Sequence, residues 1–178
     1  MADSLINRDA LEAAIRSAFD GVRLDGGISL KQAQVIDRYG EGITDAELDA
    51  LPQSEITDDW TQVPLAELDR DCIAHLDANG FRFYIAPLML SVLDYYHSGS
   101  MRIIGTLSAL YPKQDAWHYH MARYAALSDS QKEAIASFLS ALPDLVELGH
   151  EHQQVVPRAL RNYWGQFSHR TSLILPRE

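Results

Sequence analysis

The sequence lacks the features of a secreted or membrane-spanning protein. It has one cysteine among 178 residues, which excludes an internal disulfide and fits a reducing compartment. The longest apolar run, 85–93, is about half the roughly 18–20 residues that a membrane helix needs. The N-terminus has charges with no apolar core behind them, so no signal peptide is predicted. We therefore expect a cytoplasmic protein without a membrane partner.

Basic side chains are scarce. The 15 Lys and Arg residues stand against 25 Asp and Glu, a net charge of −10. Because phosphate binding relies on clustered Lys and Arg, this balance argues against a nucleic-acid partner. The imbalance belongs to the first half: residues 1–80 contain 17 acidic and six basic side chains, whereas residues 81–178 contain eight and nine. Within residues 41–77, eleven acidic side chains accompany Arg70 alone.

Recognisable catalytic motifs are also missing. The chain has no Gly-x-Ser-x-Gly nucleophile elbow, no Gly-x-x-x-x-Gly-Lys phosphate loop and no helical His-Glu-x-x-His zinc motif. Cys72 has His75 three residues later, but a lone cysteine is most often a small buried core residue. We therefore predict no catalytic residue and no cofactor.

Two histidine pairs provide the alternative of a metal site. His118 and His120, like His150 and His152, are two residues apart. This spacing places two imidazoles on one face of a strand, whereas on a helix they diverge by about 200°. Both pairs lie in segments with helical patterns or at helix ends, so no metal site is predicted. A metal-binding protein or a hydrolase that uses these histidines remains an alternative.

Apolar residues recur at spacings of three and four along most of the chain, which predicts helices. Ser29 is predicted to cap a helix that ends at Gly40 and has Tyr39 on its inner face. Thr44 with Glu47, and Ser128 with Gln131, have the capping-box pattern that begins a helix.

The middle and end of the chain leave more options open. A helix starting near Pro64 is predicted to close at Asn79–Gly80. The alternation over residues 81–85 allows a short strand, but the apolar spacing continues to Tyr96 and predicts the central core helix. A last helix over residues 144–167 is predicted, with an interruption near Pro157. The fold class is therefore all-α, with one short strand or hairpin as an option, in a single domain over residues 1–178. An apolar tail over about 170–178 forms an edge strand or docks.

The acidic first half contains the candidate binding residues. An acid beside Trp60 is compatible with a general acid, with a helix cap, or with a charged rim around a docking tryptophan. Dense like charges repel one another unless they are solvated or paired with a partner. The acidic stretch is therefore either a solvated face or a docking surface for a basic protein. The predicted partner-binding residues are Asp45, Glu47, Asp49, Glu55, Asp58, Asp59 and Trp60.

Four parts of the chain have mainly apolar motifs, namely Asp59–Trp60, Gly80–Leu90, Leu127–Gln131 with Phe138–Leu139, and Ala159–Trp164. Together they resemble a bacterial protein family of unknown function. The similarity extends from about Leu5 to Trp164. It implies a helical cytoplasmic protein, and it implies no catalytic residues.

The leading functional hypothesis is a non-enzymatic binding protein, an inhibitor or immunity protein that neutralises a basic bacterial toxin. Nuclease sites are basic because they hold phosphates, so a carboxylate-rich surface can occupy them. The alternatives are the histidine-based metal protein or hydrolase, and an adaptor or regulatory module. All of the electrostatic reasoning requires the acidic side chains to meet on one exposed surface.

Overall fold

The computed structural model describes residues 7–50 and 57–168, and every regular element within them is helical. The α-helices of these residues are α1 Arg8–Ala18, α2 Leu30–Tyr39, α3 Asp45–Asp49, α4 Leu65–Leu68, α5 Ala78–Tyr95, α6 Met101–Ala109, α7 Trp117–Tyr124, α8 Asp129–Leu145 and α9 His150–Asn162. Short 3-10 turns include Trp60–Gln62, Ile73–His75 and Trp164–Phe167. The predicted all-α class is confirmed. The apolar tail, with the strand considered for it, lies outside the described residues.

Helix α5 forms the centre of the fold. It is apolar on every side, and 13 of its 18 residues are buried, which is the pattern of a helix surrounded by other elements. Asp77 caps it by accepting a hydrogen bond from the amide of Gly80 at 2.8 Å. The prediction of a central core helix is confirmed. The option of a strand over residues 81–85 is wrong, because that segment is the buried first half of this helix.

The other helices pack around α5 or around one another. Helices α6 and α7 lie against α5, α1 packs against α8, and α8 packs against α9 and the turn Trp164–Phe167. The buried apolar side chains form one cluster that extends from Leu11 to Trp164. No helix within the described ranges is both long and apolar enough to span a membrane.

Capping residues fix the helix starts that the sequence predicted. The Ser128 hydroxyl accepts from the amide of Gln131 at 3.3 Å, and the Gln131 side chain accepts from the amide of Ser128 at 3.0 Å. Ser29 forms the same reciprocal box with the third residue of α2. The Thr44 hydroxyl accepts from the amide of Glu47 at the start of α3. Each box satisfies amide groups that have no partner within the helix.

The helix predicted from Pro64 to Asn79–Gly80 is much shorter than expected. Helix α4 ends at Leu68, and Asp71 has a φ of +51°, which a continuous helix does not allow. Gly80 lies in the first turn of α5 and does not end a helix. The apolar residues that suggested one helix belong to two separate elements, α4 and the turn Ile73–His75 with the residues that flank it.

Two further predictions are wrong. The break near the end of the chain lies between α8 and α9, whereas Pro157 is inside α9. Tyr39 is 62% exposed and does not face the core. A spacing of three residues at a helix end does not by itself decide burial.

Candidate functional site

The structure brings three of the predicted partner-binding residues together. Asp58, Asp59 and Trp60 line one surface cleft. Asp45 and Glu47 are exposed on α3, away from this lining. The side chain of Asp49 and the whole of Glu55 lie outside the described part of the chain.

Trp60 is a structural residue at the base of the cleft. Its side chain is only 4% exposed, and Nε1 donates to the carbonyl oxygen of Phe19 at 2.8 Å. The expectation of an exposed tryptophan anchor is therefore wrong. A buried indole needs an acceptor for its N–H group, and the end of α1 supplies one.

The Asp58 carboxylate, which lines the cleft, forms hydrogen bonds with the segment that follows α1. One carboxylate oxygen accepts from the Arg23 guanidinium at 2.8 Å, and the other accepts from the amide of Leu24 at 2.9 Å. These hydrogen bonds, that of Arg23 first, hold the pKa of Asp58 below its ordinary value. The carboxylate is therefore ionised, exposed and fixed in direction.

Asp59 caps the 3-10 turn that contains Trp60. Its Oδ1 accepts from the amide of Thr61 at 2.9 Å and from the Thr61 hydroxyl at 2.7 Å. The capping role, one of three considered for this pair of acids, is confirmed for Asp59. Among the described residues its second carboxylate oxygen has no hydrogen bond, and Asp59 lines the cleft.

The cleft has a volume of about 400 Å³ and a mixed charge. Arg16, Asp20, Arg23, Asp58 and Asp59 are its charged lining residues, so its formal charge is −1. The pKa of Arg23 is raised, first by its hydrogen bond to Asp58 and then by the charges of nearby carboxylates, Asp25 and Asp59 among them. In the cleft, the Arg23 guanidinium is therefore held next to the carboxylate of Asp58.

Three other carboxylates of the acidic stretch have structural partners elsewhere in the fold. Glu67 is buried and accepts from the Tyr84 hydroxyl at 2.8 Å, and burial followed by this contact raises the pKa of Tyr84. Asp69 pairs with Arg102 of the second half of the chain. Asp77 caps α5. The expectation that the whole stretch forms one patch is therefore wrong for Glu67, Asp69 and Asp77, whereas Asp58 and Asp59 share one surface.

An apolar groove adjoins the cleft, and the sequence interpretation missed it. It has a volume of about 140 Å³, and Arg16, Trp60 and Thr61 line both cavities. The rest of its lining is Val63, Leu65, Leu68, Pro87, Leu90, Ser91, Asp94 and Tyr95. No local pattern marks these residues as a set, because three separate segments supply them.

The histidine pairs are divided between the surface and the core, as helical spacing requires. His118 and His150 are exposed, whereas His120 and His152 are buried on the inner faces of α7 and α9. His152 Nδ1 lies 2.8 Å from the Tyr96 hydroxyl. Nowhere in residues 7–50 and 57–168 do three or more ligand-type side chains form a group able to hold a metal ion.

Cys72 is a core residue, as predicted. It is buried, and its Sγ donates to the carbonyl oxygen of Arg70 at 2.9 Å. Burial, followed by the charges of two nearby aspartates, raises the pKa of the thiol. A thiol with a raised pKa is a poor nucleophile near neutral pH.

Comparison with known proteins gives one match. A family model described as "Family of unknown function (DUF6714)" matches residues 7–168. The chain matches no curated protein and no solved structure.

Proposed function

We propose that this chain, which belongs to the DUF6714 family of unknown function, is a non-enzymatic binding protein for a basic partner. The partner would place a Lys or Arg side chain in the cleft between Asp20, Asp58 and Asp59. The observation that carries the proposal is the cleft itself, where exposed carboxylates are fixed on a buried base.

The geometry of the cleft favours recognition over chemistry. Asp58 and Asp59 are held by amide and side-chain donors before a partner arrives, so little ordering is required on binding. Arg23 already pairs with one side of Asp58, and this supports a second cation binding beside the same carboxylates. Asp20 and Asp59 offer carboxylate oxygens to a second cation.

The proposed partner is a basic bacterial toxin, such as a nuclease, met in the cytoplasm. A nuclease concentrates Lys and Arg because it must hold phosphates. The net charge of −10 would accelerate the encounter with such a partner, while the cleft would fix the register of the complex.

A selection from a random-peptide display library on the immobilised protein tests the proposal. The cleft variant carries Asp20→Asn, Asp58→Asn and Asp59→Asn, because Asn keeps the acceptor oxygen on which the amides of Leu24 and Thr61 depend. The control variant carries Asp115→Asn, Asp144→Asn and Glu147→Gln, three exposed acids elsewhere that give the same change in net charge.

The wild-type protein should enrich Lys- and Arg-containing peptides that bind more weakly as salt is raised. The cleft variant should lose at least tenfold in affinity for them and most of the salt dependence, while the control stays within about twofold. Equal losses of affinity in both variants would mean that binding depends on overall net charge and not on the cleft. A wild-type selection without cationic enrichment would end the proposal.

A further inference from the structure

The cleft and the apolar groove share one wall. Arg16, Trp60 and Thr61 line both, so the two cavities are close enough for one bound segment to reach into each. The groove volume of about 140 Å³ is well below the roughly 300 Å³ at which small-molecule pockets begin. It suits a single large side chain better than a cofactor.

The groove has the composition of a docking site. Leu68, Pro87 and Leu90 are buried and form its apolar base. Leu65 and Tyr95 are 39% and 57% exposed at its edge. Exposed apolar side chains around a concave surface are typical of sites that another molecule covers.

Tyr95 is held in place before anything binds. The Arg102 guanidinium lies 6.0 Å from the centre of its ring, within the range of a cation–π contact. Arg102 is itself buried and paired with Asp69. Tyrosine is enriched among the residues that contribute most to the binding energy of protein interfaces.

The charges around the groove identify the occupant. At its mouth, Asp94 already pairs with Arg8, and Arg16 is exposed without a hydrogen-bond or ion-pair partner in the described part of the chain. A guanidinium only donates, so Arg16 suits the main-chain carbonyl oxygens of a segment that crosses the shared wall. Beyond this wall lies the carboxylate-lined cleft.

We infer that groove and cleft together bind one extended segment of the partner, with an apolar side chain in the groove and a Lys or Arg in the cleft. This inference rests on the proposed function, and it adds the apolar anchor that sets specificity. Charge alone attracts any basic protein, whereas the anchor selects the segment whose spacing matches both cavities.

The display selection tests this with one matched pair of variants. Tyr95→Ser removes the edge of the groove, and Tyr39→Ser makes the same substitution at a tyrosine that is 62% exposed on α2. Leu65→Ser is a second groove variant that leaves the Tyr95–Arg102 contact intact. Urea unfolding of each variant verifies that it remains folded.

Wild-type selections should enrich a large apolar residue at one fixed spacing from the Lys or Arg. Both groove variants should lose this apolar preference, keep the cationic one, and bind the wild-type peptides at least tenfold more weakly. Tyr39→Ser should stay within about twofold. If the enriched peptides are cationic but have no apolar residue at a fixed spacing, the inference about the groove is wrong, whereas the proposed function is not contradicted. Selections without cationic enrichment would overturn both.

Discussion

Gly80 shows how a single missing side chain positions two elements. An added Cβ would lie 2.2 Å from the carbonyl oxygen of Ile28 and 3.0 Å from Asp77 Oδ1. The same Asp77 oxygen accepts from the amides of Ile28 and Gly80, so the segment before α2 lies directly on the first turn of α5. The backbone contact itself requires the glycine.

Gly80→Ala should therefore destabilise the protein, although alanine favours a helix by up to about 1 kcal/mol. The steric clash of the added methyl group with the backbone should outweigh this gain in helix propensity. The free energy of unfolding measured in urea should fall by about 1–3 kcal/mol. Gly42→Ala is the control, because no atom lies within 4 Å of its added Cβ. Equal stability of the two variants would show that this contact is not tight.

The buried histidines should make stability depend on pH. Burial lowers the pKa of His152 and of His120 below the ordinary value of 6.5. When the pH falls below about 6.5, the unfolded chain binds protons that the folded chain does not, so stability is complete above this pH and decreases below it. The loss continues down to the folded pKa, with a slope of at most about 1.4 kcal/mol per pH unit for each histidine.

His152→Asn should flatten this dependence in urea unfolding measured between pH 5 and 7, because the amide retains an acceptor for the Tyr96 hydroxyl without titrating there. His150→Asn, on the exposed face of the same helix, should leave the slope unchanged. If the wild-type stability is already flat over this range, the buried imidazoles are not the source of any acid sensitivity.

Sequence patterns predicted the role of a residue correctly where its contacts are close in the sequence. The burial of Cys72 and the cap made by Asp59 followed from residue type and near neighbours. The burial of Trp60 did not, because its acceptor, Phe19, is 41 positions away. The ion pair of Asp58 likewise depends on Arg23, 35 positions away.

At the scale of elements, capping chemistry was the most accurate signal. The starts of α2 and α8 are where Ser29 and Ser128 placed them, because a capping box closes within four residues. Apolar spacing alone merged α4 with the turn Ile73–His75, since both bury apolar residues against the same core. The apolar groove was beyond such reasoning, because α4, α5 and the segment after Asp59 each supply only part of it.

The turn Ile73–His75 depends on an arginine from another element. Arg123 of α7 is buried and donates to the carbonyl oxygens of Ile73, Ala74 and Leu76 at 2.6–2.9 Å. Its guanidinium also lies 4.2 Å from the centre of the Tyr119 ring. Ile73 also accepts from the amide of Leu76, and Ala74 from the Tyr119 hydroxyl, whereas the carbonyl oxygen of Leu76 depends on Arg123 among the described residues.

Arg123→Met should cost about 2–4 kcal/mol of unfolding free energy, because charged hydrogen bonds to three carbonyl groups are lost and that of Leu76 is left without its donor. Amide exchange over residues 72–77 should accelerate more than exchange in α8. The matched control is Arg161→Met on the exposed side of α9. A loss no larger than that of the control would mean that the turn is held by its apolar side chains alone.

At the scale of the whole molecule, ion pairs connect the acidic half of the chain to the other half. Asp25 pairs with Arg82 at 3.0 Å, and Asp69 pairs with Arg102. Asp94 of the second half pairs with Arg8 of α1. The segregation of charge along the sequence therefore serves the fold in part, because these pairs join segments far apart in the chain.

One continuous core and these cross-chain pairs predict a single cooperative unfolding transition. Trp60 packs at the end of α1, and Trp164 donates to the carbonyl oxygen of Leu110 at 2.7 Å, so the two indoles report on distant parts of the core. In a Trp117→Phe background, adding Trp60→Phe or Trp164→Phe leaves one buried indole in each variant. Its fluorescence should follow the far-UV circular dichroism at every urea concentration within the same variant. Curves that separate in either variant would mean that the chain contains two units of different stability, contrary to a single domain.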